Sequence, residues 1–129
     1  MSVCVAQPTA KDIELLYETA RIAAQSRRDG NHPFGALLAD RDGNILMEQA
    51  NEVVSTHNDC GHAETMLLMR AAKAYDREFL ATCSLYTSVE PCVMCSGALY
   101  WANVGRLVYA LTESKLLGMT GGNPENPTF

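Results

Sequence analysis

The sequence has 129 residues, enough for one domain with a single buried core and too few for two ordinary domains. Apolar residues make up 47% of the chain and charged residues 19%, which is typical of a globular protein and excludes a disordered or fibrous one. Ten Lys and Arg against fifteen Asp and Glu give a net charge of −5. Because phosphate binding depends on basic patches, this charge disfavours nucleic acid as a partner.

The N-terminal residues contain no basic stretch followed by a long apolar run, so the sequence predicts no signal peptide. No window approaches the roughly 20 apolar residues of a membrane-spanning helix. Both observations predict a cytoplasmic protein that does not bind membranes. In that compartment the five cysteines are expected to be thiols or metal ligands, and their odd number also argues against a complete disulfide framework.

The first predicted element is an amphipathic helix over residues 10–27. Thr9 and Asp12 have the spacing of a capping box, with Asp in place of the usual Glu or Gln. Apolar residues follow at three- and four-residue steps, and the pattern stops before Asp29 and Gly30. The expected buried face consists of Ile13, Leu16, Ala20, Ala23 and Ala24.

The remaining pattern predicts alternating strands and helices within a single domain, 1–129. Two apolar runs that flank Asp42 and Gly43 predict a β-hairpin, and a later strand, helix and strand predict a parallel crossover. The order α-β-β-α-β-α-β predicts an α/β fold, a three-layer α-β-α sandwich whose mixed sheet has helices on both faces. After the first helix, the predicted segments are 34–39, 45–50, 61–75, 83–88, 91–102 and 104–110, followed by one helical turn over 113–117 and a loop over 118–129.

Two short segments carry residues with metal chemistry, His62 and Glu64 in one, and Cys92 and Cys95 in the other. A Cys-x-x-Cys pair on the first turn of a helix places two sulfurs one turn apart, where they can share a metal ion. Both predicted helix starts lie beyond strand ends on one edge of the sheet, so His62 can converge with the cysteines. One His and two Cys leave a fourth position open, as in catalytic zinc sites. Zinc lowers the pKa of a bound water to about 7, and Glu64 can move the proton.

Two other interpretations of the cysteines stay open. A structural zinc site would take Cys60 or His57 as a fourth ligand and would leave Glu64 without a role. A redox Cys-x-x-Cys pair would leave both His62 and Glu64 unexplained. The other cysteines and three of the methionines are expected to be inert or to fill the core: Cys4, Cys83, Met66, Met69 and Met94.

Motifs between about Thr9 and Leu117 form a wider pattern, which includes His-Ala-Glu and, further on, Glu-Pro-Cys-Val-Met-Cys. By these motifs the sequence resembles the cytidine deaminase-like superfamily of zinc-dependent nucleobase and nucleoside deaminases. Within it, the sequence is most similar to the branch of guanine, cytosine and tRNA adenosine deaminases. The segments that carry the resemblance are residues 33–36, 51, 61–64, 85–98 and 105–109.

The resemblance implies that His62, Cys92 and Cys95 bind one Zn²⁺ per chain and that Glu64 shuttles protons. It implies a hydrolase that releases ammonia from a cyclic amidine. Relatives are commonly homodimers in which loops of one subunit lie near the site of the other, so the resemblance also implies a homodimer.

The resemblance also implies substrate contacts. Asn51 matches a position that hydrogen-bonds the base in relatives, and the backbone at Ala63 and Ser88 lines the same pocket. Phe34 precedes the first predicted strand, in a loop that is able to fold over the crevice. Trp101 follows Tyr100 at the end of the cysteine helix, where it is expected to line the pocket, to contact a second subunit or to pack on the core.

Three hypotheses about function remain. The first is an enzyme that acts on a small free base, such as guanine, cytosine or isocytosine, or on a nucleoside; the acidic charge and the Tyr100–Trp101 pair favour it. The second is a tRNA adenosine deaminase, which the scarcity of basic residues disfavours. The third is a non-catalytic, zinc-stabilised interaction module, in which loss of Glu64 would change no activity.

The tail after Leu117 is rich in Pro and Gly and ends at Phe129. Relatives commonly carry a last strand and a closing helix in this region, and the resemblance implies that both are absent from this sequence. We expect either a truncated chain or a partner subunit that covers the sheet edge, because an unpaired buried edge is costly.

Overall fold

The computed structural model describes residues 4–121, and these form four strands and six helices. The predicted order of the main elements is confirmed, with short helices added between them. In chain order the elements are α1 (Ala10–Arg28), β1 (Gly35–Ala39), β2 (Ile45–Ala50), α2 (Val53–Thr56), α3 (Ala63–Ala74), α4 (Arg77–Leu80), β3 (Ser84–Val89), α5 (Val93–Ala102), β4 (Arg106–Leu111) and α6 (Glu113–Thr120).

The strands form one mixed sheet in the order β2-β1-β3-β4. β1 pairs antiparallel with β2 and with β3, and β3 pairs parallel with β4, so the predicted hairpin and parallel crossover are confirmed. In the hairpin turn the Asp40 side chain accepts the N–H groups of Asp42 and Asn44, each at 2.9 Å. Gly43 has φ +84°, a conformation that glycine adopts without strain.

Helices cover both faces of the sheet, which confirms the predicted three layers. α1 packs on one face, and α3 and α5 pack on the other. β1 is buried on both sides, because alternate side chains point to opposite faces, which explains its unbroken apolar sequence. The core on the α1 side comprises Leu15, Ile22, Leu37, Ala39, Tyr86 and Val108. The core on the other side comprises Ala36, Leu38, Ala63, Leu67, Leu68, Ala71, Leu80, Cys83, Leu85 and Ala102.

The buried face of α1 differs from the prediction. Ile13 is 46% exposed, and Ala20 and Ala24 also face solvent. The prediction counted only apolar residues, whereas half of the buried face is polar and internally hydrogen-bonded. For example, the Ser26 hydroxyl donates to the carbonyl of His32 at 2.8 Å. The residues of α1 that are buried are Asp12, Leu15, Thr19, Ile22, Ala23 and Ser26.

Gly35, at the start of β1, sets how closely α1 lies against the sheet. A Cβ atom on Gly35 would lie 2.6 Å from the Thr19 carbonyl oxygen and 2.8 Å from the Ala23 nitrogen. Both are backbone atoms of α1, so a side chain here would push the helix away. The close contact therefore fixes the position of the start of β1 and of Phe34, which directly precedes it.

The end of the described chain also differs from the prediction of a loop over 118–129, because α6 continues to Thr120. The Thr112 side chain accepts one N–H of the first turn, and the Glu90 carboxylate accepts another. These caps pair groups that a helix start leaves unsatisfied. The rest of the predicted loop, 122–129, lies outside the described residues.

Among the predicted core residues, Cys83 is 1% exposed, as expected, whereas Met69 is 53% exposed. The prediction that Met69 fills the core is wrong, because it lies on the outer face of α3. Met66 and Met94 are half-buried, and Cys4 is exposed. No helix within residues 4–121 combines the length and the apolar character that crossing a membrane requires. The cytoplasmic location stays a prediction.

Candidate active site

The metal-ligating side chains come from the starts of two neighbouring helices. His62 is the N-cap residue of α3, and Cys92 is the N-cap residue of α5. Both helices lie on the same face of the sheet, and Cys95 lies one turn further along α5. The convergence that the sequence predicts for these residues is therefore present in the structure.

The three donor atoms have the spacing of a zinc site. The Nδ1 atom of His62 lies 3.5 Å from Sγ of Cys92 and 3.7 Å from Sγ of Cys95. With Zn–N near 2.0 Å and Zn–S near 2.3 Å, tetrahedral geometry separates the nitrogen and sulfur ligands by about 3.6 Å. An imidazole and two thiolates are also donors that zinc favours. His62, Cys92 and Cys95 therefore fit a zinc ion.

Cys60 and His57 do not complete this group. Among residues 4–121, the donor atoms that lie within 4.8 Å of one another are those of His62, Cys92 and Cys95. Cys60 and His57 are both exposed. Three protein donors with an open fourth position are typical of a catalytic zinc site and not of a closed structural one.

Hydrogen bonds among the three donors shift the pKa values of the two cysteines in opposite directions. The Cys95 thiol donates to Cys92 and, with help from the His62 ring, lowers the pKa of Cys92 to about 4. The same bond and burial raise the pKa of Cys95. The bond to Cys92 also raises the pKa of His62. A metal ion that takes both sulfurs as thiolates must therefore displace the proton that they share.

Glu64 lies in the first turn of α3 and is only 7% exposed. The Thr87 hydroxyl, on β3, donates to its Oε1 at 3.2 Å. Burial raises the pKa of Glu64, which makes the carboxylate a stronger base than an exposed one. A buried carboxylate beside three metal donors is suited to moving protons.

A solvent-open cavity, with about 410 Å³ of empty space including its open mouth, is lined by Glu64 together with two of the metal ligands, His62 and Cys92. Three of its lining residues are glutamates, and none is Lys or Arg. The lining residues are Phe34, Asn51, His62, Glu64, Val89, Glu90, Cys92, Glu113 and Leu116.

The structure brings two of the predicted substrate contacts to this cavity. Asn51 is 2% exposed, and its Oδ1 accepts the N–H of Val53 at 3.0 Å. Its Nδ2 therefore remains as a donor for a ligand. Phe34 lines the cavity beside it and is half-buried.

The other predicted contacts lie outside the cavity lining. Ala63 and Ser88 adjoin the lining residues Glu64 and Val89 in the chain, and the Ser88 hydroxyl accepts the N–H of Gly35 at 3.2 Å. Trp101 is 75% exposed and does not reach the cavity of its own chain. Roles for these residues in substrate binding stay predictions.

Sequence reasoning missed several residues of the site. Glu113 and Leu116 line the cavity from α6, and Glu90 anchors that helix by accepting the Glu113 N–H at 2.9 Å. Two buried threonines, Thr65 and Thr87, donate to the site from α3 and β3. A signal was present for Thr87, because a polar residue within an apolar strand needs a buried partner.

Comparisons with known proteins point to the same region. Residues 10–111 match the family model of the cytidine and deoxycytidylate deaminase zinc-binding region. A probable cytosine deaminase from Schizosaccharomyces pombe is 37% identical over 117 residues, covering 91% of this chain and 70% of that protein. A tRNA-specific adenosine deaminase from Haemophilus influenzae is 31% identical over 104 residues, covering 81% of this chain and 60% of that protein. The crystal structure of guanine deaminase from Bacillus subtilis matches with a TM-score of 0.75 at 33% identity, covering 84% of this chain and 69% of that chain.

This chain thus spans between 60% and 70% of the length of these three relatives. The matched residues 10–111 include all four described strands, His62, Glu64 and both cysteines of α5. The region that matches the family model therefore covers the whole described sheet, the three metal donors and the buried carboxylate. The chain belongs to the cytidine and deoxycytidylate deaminase family, a family of zinc-binding hydrolases that act on C–N bonds of nucleobases and nucleosides.

Proposed function

We propose that this protein is a zinc-dependent deaminase that releases ammonia from the exocyclic amino group of a small free nucleobase or nucleoside of guanine, cytosine or isocytosine type. The observation that carries the proposal is a buried carboxylate, Glu64, that lines one cavity with His62 and Cys92, two members of a three-donor metal group. His62, Cys92 and Cys95 would hold the Zn²⁺ ion.

Glu64 would carry out the proton transfers of the deamination. Zinc supplies a Lewis acid that lowers the pKa of water to about 7, so that a nucleophile is present at neutral pH. Glu64 would accept one proton of the attacking water and deliver it to the ring nitrogen of the base as the new C–O bond forms. Glu64 would then take the remaining proton of the added hydroxyl and deliver it to the exocyclic amine, so that the C–N bond breaks, the carbonyl forms and ammonia leaves. The Thr87 hydroxyl contacts one of the two carboxylate oxygens and thereby orients the carboxylate.

Asn51 and Phe34 would orient the base. The Asn51 amide is held by the Val53 N–H, so its Nδ2 donates to an acceptor on the polar edge of the base. The Phe34 ring offers an apolar surface to the heterocycle. The predicted backbone contacts at Ala63 and Ser88 would complete the pocket.

The charge of the cavity supports a small, unphosphorylated substrate. Glu64, Glu90 and Glu113 line it without a compensating Lys or Arg. A phosphate group would therefore meet repulsion near the site, and an anticodon loop needs a positive surface that the lining lacks. These charges favour a free base or nucleoside over tRNA.

Ammonia release across guanine, cytosine, isocytosine, cytidine, adenosine and tRNA tests the proposal. Glu64→Gln removes the proton acceptor and should reduce kcat by about 10²–10⁴-fold, while zinc measured by mass spectrometry stays at one per chain. Glu78→Gln, on the exposed surface of α4, is the matched control and should retain full activity. Deamination of tRNA alone, with steep salt dependence, would establish the tRNA alternative. Full activity in Glu64→Gln would refute the mechanism, and zinc without activity on any substrate would support a non-catalytic module.

We also propose a homodimer. The helix that carries the cysteines, α5, exposes a set of large apolar side chains, with Val93 at 58%, Tyr100 at 62% and Trp101 at 75% exposure. Exposed apolar groups on one helix are typical of a protein interface. Sedimentation should show twice the chain mass, and Trp101→Glu should shift it to the chain mass; a wild-type monomer at micromolar concentration would refute the dimer.

A further inference from the structure

The hydroxyl of Thr65 bonds directly to one of the metal-site sulfurs. Thr65 lies in α3 and is 9% exposed, and its Oγ1 donates to Sγ of Cys95 at 3.1 Å. Cys95 itself is fully buried in α5. The bond therefore joins the two helices that carry the metal donors, and the proposed proton transfers make no use of it.

This bond is not the one that a helical threonine makes by default. A threonine within a helix commonly donates to the carbonyl three or four residues earlier. Thr19 does so in α1, where its hydroxyl donates to the carbonyl of Leu16 at 2.6 Å. Thr65 instead donates across to another helix. The hydroxyl therefore hydrogen-bonds the sulfur and not a carbonyl of its own helix.

The position of Thr65 links two of the metal donors. It follows His62 by three residues, so both side chains lie on the same side of α3. One helix therefore supplies a nitrogen ligand and also a hydrogen bond to a sulfur ligand on the neighbouring helix. The fit of the site depends on the distance from His62 Nδ1 to Cys95 Sγ, 3.7 Å, which this bond helps to fix.

A buried thiolate is costly unless a donor compensates its charge. Cys95 is fully buried, so the metal ion and the hydrogen bond from Thr65, and not water, would stabilise a thiolate at this position. Groups that hydrogen-bond metal ligands orient them, and their loss typically costs about 10–100-fold in metal affinity.

We propose that Thr65 is a positioning residue for the metal centre, and that its hydroxyl holds the Cys95 sulfur in place for Zn²⁺ and thereby raises the zinc affinity. The proposal rests on the metal ligands of the proposed function but not on its substrate. Among residues 4–121, Thr65 is neither one of the three metal donors nor one of the residues that line the cavity.

The test measures Zn²⁺ affinity by competition with a chromophoric chelator. Thr65→Val keeps the shape of the side chain and removes the hydroxyl, and it should bind Zn²⁺ about 10–100-fold more weakly. Thr65→Ser retains the hydroxyl and should stay within about threefold of the wild type. Thr19→Val is the matched control, because it removes another buried helical hydroxyl, which donates to the carbonyl of Leu16 in α1 and contacts no metal donor. Its zinc affinity should equal that of the wild type.

Two further measurements distinguish a displaced Cys95 sulfur from a general loss of folding. Urea unfolding of the metal-free variants reports their folding, and Thr65→Ala replaces Thr65→Val if the latter does not fold. In the Co²⁺-loaded protein, the thiolate-to-cobalt absorption band should shift in Thr65→Val and not in Thr19→Val.

The proposal is wrong if Thr65→Val binds Zn²⁺ as tightly as the wild type. It is also wrong if Thr65→Ser loses as much affinity as Thr65→Val, since the methyl group would then be the cause. A wild type that binds no zinc would refute the metal ligands and this proposal together. Tight zinc binding without ammonia release would refute the proposed reaction alone and leave the role of Thr65 supported.

Discussion

The carboxylate of Asp12 is the centre of a buried polar network that connects α1 to β3 and β4. It accepts the Tyr86 hydroxyl at 2.6 Å, the Thr9 N–H at 2.8 Å and two guanidinium N–H groups of Arg106. Asp12 is 2% exposed. Replacing it by alanine removes the acceptor for all of these donors without changing any residue of the candidate site, so the expected effect is on stability.

The structure sets the size of that effect. Tyr86 is 3% exposed, and an unpaired buried hydroxyl costs about 1–3 kcal/mol. Losing the capping box with Thr9 costs about 1 kcal/mol. Arg106 contributes less than about 1 kcal/mol, because its side chain is 47% exposed and can return to water. We expect Asp12→Ala to lower the free energy of unfolding by about 3 kcal/mol, a large share of the 5–15 kcal/mol typical of a domain.

Urea unfolding followed by circular dichroism, at saturating zinc for every variant, measures this loss. Tyr86→Phe in both backgrounds completes a double-mutant cycle, and the coupling between Asp12 and Tyr86 should be about 1–2 kcal/mol. Glu14→Ala is the matched control on the same helix, where an exposed carboxylate pairs only with Lys11, and it should change stability by less than about 0.5 kcal/mol. A loss below about 1 kcal/mol in Asp12→Ala, or strictly additive effects with Tyr86→Phe, would refute this account of the network.

Three further predictions follow from other features. Arg106 holds the pKa of Asp12 well below its ordinary value of 3.8. The stability that this carboxylate adds is therefore present above pH 3.8 and is lost as the pH falls below it. Urea midpoints measured between pH 5 and pH 2 should fall more steeply in the wild type than in Asp12→Ala. Removing zinc with a chelator should lower Tm, and added Zn²⁺ should restore it, because a ligand of the folded state stabilises that state; an unchanged Tm would contradict the metal assignment. Glu113→Lys should raise the ratio of kcat/KM for a nucleoside 5′-monophosphate to kcat/KM for its nucleoside about fivefold, because a partly solvated ion pair with the phosphate contributes up to about 1 kcal/mol. The control Ser114→Lys, at an exposed position of the same helix, should leave this ratio unchanged.

Local signals in the sequence determined the order of elements and the metal donors. Turn chemistry at Asp42 and Gly43 predicts the hairpin, because a short loop that needs positive φ favours glycine there. The spacing of Cys92 and Cys95 at a helix start, with His62 at another, predicts a shared ion. These features depend on residues that are near one another in the chain or on chemistry that few other residues supply.

Contacts between distant segments decided the rest, because no local pattern encodes them. The buried face of α1 includes Asp12 because Tyr86 and Arg106, which follow it by 74 and 94 residues, reach it in the fold. The bond from Thr65 to Cys95 exists only because α3 and α5 pack together on one face of the sheet. In each case a polar side chain is buried where a partner from another element satisfies it, and tertiary structure alone determines which partner that is.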